Sequence, residues 1–145
     1  MYKSILLPTD GSELANRAVA QGIALAKEIG ARITAVTVVE PFAVFSVRPE
    51  QLEHTRTTYA EHANEYAHEV LDAVAARAKE TGVACETVLV SHAHPYQGII
   101  DTAQTHGCDL IMMASHGRRG VAAVVLGSET VKVLTHSGIP VLVFR

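Results

Sequence analysis

No apolar run in this sequence approaches the roughly 20 residues that a helix needs to cross a bilayer, so no spanning segment is expected. The opening Met1-Tyr2-Lys3-Ser4-Ile5-Leu6-Leu7-Pro8 also lacks the long apolar stretch and small-residue cleavage site of a signal peptide. A cytoplasmic protein without membrane insertion is the expectation. Proline is scarce, five residues in all, and 48% of the chain is hydrophobic, which excludes a disordered chain. Only two cysteines occur, Cys85 and Cys108, far too distant for a Cys-x-x-Cys pair; each lies beside an apolar run and reads as a small buried residue. Basic residues do not cluster beyond Arg118-Arg119 and the formal charge is −3, which argues against nucleic acid or an anionic membrane as the main partner. The length, 145 residues, suits one domain spanning 1–145 with one sizeable core.

What the chain does contain is a regular alternation of short apolar runs and longer helical stripes. Ser4–Leu7, ended by Pro8, reads as a strand buried on both faces. Leu14, Ala18, Leu25 and Ile29 share a helical face that Gly30 terminates. Residues 31–39 form a second, β-branched strand, and residues 40–50 a loop with two prolines. A helix over 51–81 follows, with Tyr59, Ala63, Tyr66, Val70 and Val74 spaced by threes and fours. Strands over 83–90, 109–114 and 139–144 alternate with helices over 96–106 and 128–136, with Pro95 near the first turn of the former. Such βα alternation predicts an α/β fold, because parallel neighbours need crossover connections and these place helices on both faces of the sheet.

Open parallel sheets bind ligands beyond the carboxyl ends of their strands, where the strand order reverses. Two loops there stand out. Pro8-Thr9-Asp10-Gly11-Ser12 follows the first strand, and Ala114-Ser115-His116-Gly117 follows the fourth; if the strand order is 3-2-1-4-5, they lie side by side at the switch. Gly117, Gly120 and Gly127 leave room for backbone N–H groups to approach an anion. Gly127-Ser128 opens a helix, whose unpaired N–H groups and positive dipole end favour phosphate, and Arg118 and Arg119 add charge at the mouth. The same glycines also suit plain turn geometry, and Ser128 also suits a plain N-cap, so spacing alone leaves both readings open. No Lys-Ser/Thr pair follows the glycines, so this is not a Walker loop.

These segments together resemble the universal stress protein family. Ser4–Ser12 is similar to its opening strand and loop, and Ile139–Val143 to its last strand. Ala114-Ser115-His116-Gly117, nine further residues, then Gly127-Ser128 resembles its nucleotide motif, Gly-x2-Gly-x9-Gly-Ser/Thr. The resemblance covers the whole chain. It implies a Rossmann-like, adenine nucleotide alpha hydrolase-like fold: a five-stranded parallel sheet of order 3-2-1-4-5 with helices on both faces, binding ATP or AMP at the switch point. Because members without the glycine motif generally do not bind ATP, it also implies the ATP-binding branch. By matching position, Pro8, Thr9 and Asp10 would border the nucleoside, and the Val38 backbone would meet the adenine edge. Ala114 and Gly117 would approach the ribose and first phosphates; Gly127, Ser128 and Thr130 would cradle phosphates, with Arg118 and Glu129 beside them. Mg²⁺ would enter only with ATP, through its phosphates.

This chain departs from the pattern twice. Ala114 replaces the first glycine, which suits a backbone without positive φ. Glu129 places a carboxylate in the first turn of the phosphate-facing helix, favourable to the dipole but repelling a polyphosphate if aimed at it. Asp10 and Ser12 also suit helix-start capping. None of the eight histidines forms a helical zinc pair, His62 and His68 being six apart, so no dedicated metal site is expected; His116 is either near a phosphate or in a surface turn. No triad or carboxylate pair is apparent, so no catalytic residue is expected and at most a slow ATPase. Relatives that cleave the α/β-phosphate bond would show Ser-Gly-Gly-x-Asp-Ser after the first strand, and this chain does not. The last strand, with Val141, Leu142 and Val143, would be a bare apolar edge, and the resemblance implies a homodimer through it. The expected function is an adenine-nucleotide-binding, stress-response regulator. A slow ATPase or phosphotransfer enzyme, and an interaction module with a vestigial pocket, remain the alternatives. The sequence names no protein partner.

Overall fold

The computed structural model describes residues 1–41, 49–117 and 126–145, with the side chains of 49–53 excepted. Within them the chain runs β1 (Ser4–Pro8), α1 (Glu13–Ile29), β2 (Arg32–Val39), α2 (Pro49–Thr81), β3 (Cys85–Ser91), α3 (Pro95–Thr105), β4 (Leu110–Ala114), α4 (Ser128–His136) and β5 (Val141–Phe144). The strands form one sheet in the order β3-β2-β1-β4-β5, every pair parallel. The predicted architecture is therefore the one observed. Of the loop expected over 40–50, residues 42–48 lie outside the described residues, and the helix already includes Pro49 and Glu50.

Period-two alternation along β1 divides the core. Ile5 and Leu7 pack with Val19 and Ile23 of α1 and with Leu71 and Val74 of α2. Leu6 faces the other way, with Val36, Ile99 of α3, Ile111 and Val133 of α4. Successive strand residues point to opposite faces, so a strand covered on both must be apolar throughout, which is why β1 and β4 are buried at every position.

Two helical stripes differ from the sequence reading. The buried face of α1 is Ala15, Ala18, Val19, Gly22, Ile23 and Ala26. Leu14 and Leu25 flank it, and Ile29, expected on it, is 40% exposed. Small residues set this face because they let the helix axis come close: a Cβ on Gly22 would meet Leu7 Cδ2 at 2.5 Å. In α2 only Val74 of the expected stripe lies among the buried residues, joined by Ala67, Leu71 and Ala78. The helix has 33 residues, about 50 Å, against about 26 Å for the eight-residue β2, so its N-terminal half projects past the carboxyl ends of the strands. Tyr59 lies on that projection and Tyr66 just at its base.

The cysteines are unpaired. Cys108 is buried, accepting from Ser4 Oγ at 3.7 Å. Cys85 is half-buried; burial pushes its thiol pKa up, the Glu86 charge adds to this, and the backbone bond from Ala35 opposes both. Cys85, with its thiol pKa raised, behaves as a packing residue rather than a thiolate, and Cys108 packs in the core. No helix among the described residues is long and apolar enough to cross a membrane.

Candidate functional site

A cavity of about 440 Å³ opens beyond the carboxyl ends of β1, β2 and β4, a size usual for small-molecule sites. Its position follows from the topology. The chain leaves β1 toward α1 on one face of the sheet and leaves β4 toward α4 on the other, so the two loops diverge and leave a crevice.

The floor on the β1 side is built from Thr9 and Asp10. Thr9 N–H donates to the Val36 carbonyl at 2.9 Å, the last bond that continues β1 beside β2. Thr37 Oγ1 then donates to the Thr9 carbonyl at 2.9 Å, Thr9 Oγ1 accepts from Gly11 N–H at 3.2 Å, and Asp10 Oδ1 accepts from Ser12 N–H at 3.0 Å. Ser12 caps α1 through Ala15 N–H at 3.3 Å. From above, Tyr66 Oη donates to the Asp10 carbonyl at 3.1 Å. These six bonds hold one turn, and Asp10 serves both loop geometry and cavity wall.

Val38 supplies the edge at β2. Backbone polar groups alternate sides along a strand. The Val36 carbonyl points to β1 and the Val39 carbonyl, which accepts from His92 N–H at 3.0 Å, points to β3. The N–H and C=O of Val38 therefore point to the β1 side, at a level where β1 has already ended. Both open on the cavity that Val38 lines.

Across the crevice stands α4. Gly127 N–H donates to the Ser115 carbonyl at 2.7 Å, fixing the helix start against the end of β4. Thr130 Oγ1, buried, donates to the Ala114 carbonyl at 3.1 Å. Gly127 carries no capping side chain, so among the described residues no side chain caps the helix. Gly127, Ser128, Glu129 and Thr130 all line the cavity, and the uncapped first turn with its positive dipole end opens on it.

All the site candidates among the described residues, namely Pro8, Thr9, Asp10, Val38, Ala114, Gly117, Gly127, Ser128, Glu129 and Thr130, line this one cavity. Arg118, Arg119 and Gly120 lie outside the described residues. Both departures from the family pattern have structural answers. Ala114 belongs to β4, whose extended backbone accepts a methyl, and it packs with Ala15 and Ala18 of α1. Glu129 directs its carboxylate to α3: Oε2 accepts from Tyr96 N–H at 2.8 Å, and Oε1 accepts from Lys132 Nζ at 3.2 Å.

His116 lines the cavity, and its Nδ1 lies 3.2 Å from Ser115 Oγ. Ser115 is buried and does not line the cavity, so this is a loop contact rather than a nucleophile and base. Among the described residues, no three His, Cys, Asp or Glu side chains gather as a metal set. Sequence reasoning did not place Tyr59, Ala63, Tyr66 and Ala67 of α2 or Pro95 and Ile99 of α3 at this site, although all of them line the cavity. The spacing that marked Tyr59, Ala63 and Tyr66 as part of a stripe was visible; that the stripe overhangs the sheet depends on how far α2 outruns β2.

Comparison with known proteins gives one consistent result. The model of the universal stress protein family matches residues 1–145. Universal stress protein MJ0531 of Methanocaldococcus jannaschii is 32% identical over 147 residues, covering 100% of this chain and 83% of that protein. A universal stress protein of Thermus aquaticus is 34% identical over 146 residues, covering both chains fully, 100% each. Among solved structures, the M. jannaschii protein MJ0577 superposes with a TM-score of 0.85 at 28% identity, covering 99% of this chain and 95% of that one. Two more distant structures share the fold. A universal stress protein in complex with cAMP has a TM-score of 0.72 at 24% identity, covering 99% and 97% of the two chains. One from Archaeoglobus fulgidus in complex with dAMP has 0.69 at 19%, covering 99% and 98%. With the family model matched from end to end and the sheet order observed, this chain belongs to the universal stress protein family.

Proposed function

We propose that this protein binds an adenine nucleotide, ATP or AMP, in the cavity at the switch point, and that it is a cytoplasmic stress-response regulator acting as a homodimer. The observation that carries the reading is the meeting, in one crevice, of an unpaired strand edge at Val38 with the uncapped start of α4. A purine's Watson–Crick edge offers a donor and an acceptor, matching the C=O and N–H of Val38. Phosphates match the N–H groups and dipole end of α4. The floor of Thr9, Asp10, Ala114 and Gly117 lies between the two, at the place a ribose would take. Two family structures that share this fold hold cAMP and dAMP, which supports the adenine nucleotide class.

Mg²⁺ joins through the phosphates when ATP is the ligand, since Mg²⁺ is usually held by few carboxylates plus phosphate oxygens. Binding rather than turnover is the function proposed, with nucleotide state governing a partner or the shape of the dimer. Hydrogen bonds to a charged ligand contribute about 1.5–3 kcal/mol each, so a few converging donors suffice for micromolar affinity.

The test is calorimetric titration of nucleotide-free protein with Mg-ATP and with AMP, beside Gly127→Val. A Cβ on Gly127 would lie 3.1 Å from the Ser115 carbonyl oxygen and 3.1 Å from His116 Cα, backbone atoms that cannot yield without shifting the helix start. Wild type is expected to bind and the variant to lose about tenfold or more. Folded wild type that binds neither ligand would overturn the proposal and favour an interaction module with a vestigial pocket.

A further inference from the structure

The first turn of α4 carries one group that a phosphate cradle does not need. The carboxylate of Glu129 leaves its own helix and accepts the Tyr96 N–H, one residue into α3, at 2.8 Å. His94, at the N-cap of α3, makes no side-chain cap bond, so Glu129 supplies from another helix the acceptor that a capping side chain would supply locally. Its second oxygen accepts from Lys132 Nζ at 3.2 Å, and that ammonium stands 5.7 Å from the centre of the Tyr96 ring. Carboxylate, ammonium and tyrosine thus close a ring of contacts that holds Glu129 in place. Pro95, the first residue of α3, lines the same cavity as Glu129. Two helix starts therefore border one space, and an anion of the protein's own already sits on the second.

Resting on the reading that this cavity takes an adenine nucleotide, we infer that Glu129 limits the phosphate chain it accepts and favours the monophosphate over the triphosphate. Two effects act with the same sign. A chain extending past the start of α4 toward α3 would need the Tyr96 N–H, a single donor that Glu129 occupies, and would share Lys132 Nζ with its carboxylate. Its added negative charge would also meet a fixed carboxylate. With the Glu129 side chain 36% exposed and that of Lys132 48% exposed, the charge effect is screened and weakens with salt, whereas the occupancy effect does not. Glu129 is thus a selectivity residue that acts from the cavity wall and not through the adenosine moiety.

The experiment measures dissociation constants for adenosine, AMP and ATP, with and without Mg²⁺ and at low and high salt, in wild type, Glu129→Gln and Glu129→Ala. Amide hydrogen exchange at Tyr96 is followed in the nucleotide-free proteins. Relative to adenosine, the ATP-to-AMP affinity ratio is expected to rise about threefold in Glu129→Gln at low salt, and in Glu129→Ala about tenfold at low salt and about threefold at high salt. Tyr96 exchange is expected to quicken in Glu129→Ala. A ratio that moves less than about twofold in Glu129→Ala, with adenosine bound by both proteins, overturns the inference. Tyr96 exchange unchanged in Glu129→Ala overturns the clamp on which it rests. Folded wild type that binds neither adenosine nor AMP overturns the nucleotide reading itself, an outcome distinct from both because the exchange measurement needs no ligand.

Discussion

The hydroxyl of Thr130, buried in the first turn of α4, donates to the carbonyl of Ala114, the last residue of β4, at 3.1 Å. This bond joins the two ends of the loop across the cavity. Thr130→Val keeps the shape and removes the donor, leaving a buried carbonyl short of a partner. The expected loss is about 1–3 kcal/mol of folding stability in urea denaturation, together with weaker nucleotide binding. A variant within about 0.5 kcal/mol of wild type would show that the bond does not set the position of α4.

Gly117 and Asp10 bring the two site loops into contact, since a Cβ on Gly117 would run into the Asp10 carboxylate. The obstacle is the end of a side chain rather than backbone, so Gly117→Ala should change stability by no more than about 0.5 kcal/mol while displacing Asp10. Nucleotide affinity should fall about tenfold. Undiminished affinity by calorimetry would remove the contact of these loops from the binding site.

At Gly22 two effects oppose each other. Alanine gains about 1 kcal/mol of helix propensity over glycine. Its methyl would meet Leu7 Cδ2 at 2.5 Å, and Leu7 is fully buried at 0% exposure. Overpacking of this kind costs about 1–3 kcal/mol, so Gly22→Ala is expected to be neutral to destabilising. A clear gain in midpoint temperature would mean that α1 moves away from the sheet at little cost.

Asp109 contributes a pH-dependent part of stability. Partial burial pushes its pKa up. The N–H bonds from Lys3, at 2.9 and 3.1 Å, and Ser4, at 3.0 Å, together with a bond from its own backbone N–H and the N-terminal charge, outweigh this and hold it below the ordinary 3.8. A depressed carboxyl pKa stabilises the fold above its unfolded value and loses that contribution as pH falls through the folded value. The stability difference between wild type and Asp109→Asn should therefore be constant from about pH 7 to 5 and narrow below about pH 4. A gap that stays constant on acidification would show that the carboxylate's charge is not what matters.

The edge strand β5 tests the proposed dimer. Val141 and Val143 are partly buried and Leu142 is 44% exposed, on a strand that β4 pairs on one side only. An unpaired apolar edge favours association with a second copy. Charged residues at Val141 and Val143, or Leu142→Asp alone, should convert a dimer to a monomer in light scattering. A dimer that survives them would place the interface elsewhere.

Fold and site were legible to different depths. Period and punctuation located every element: the apolar runs of β1 and β4 marked strands covered on both faces, and Gly30, Gly82 and Gly138 marked where segments end. The loops after β1 and β4 were legible as candidate site loops, and both line the cavity, because their residues carry backbone chemistry, room for N–H groups and a helix start, that depends on local sequence. The stripes of α1 and α2 were misread because a helix's buried face is chosen by what it packs on. Gly22 is drawn inward by Leu7 and Ile29 left outside, although isoleucine is the more apolar.

By itself, then, the sequence determined the order of elements and a mainly parallel sheet, because these follow from periodicity and from the need for crossover connections, while the strand order that brings the two loops together at the switch point came from the family resemblance. Only the tertiary structure decided where the Glu129 carboxylate goes, that Tyr66 ties down the Asp10 carbonyl, and that the N-terminal half of α2 walls the cavity. Each of these joins residues more than 30 positions apart in the chain, and their distance in space is set by packing between layers, which no local pattern encodes.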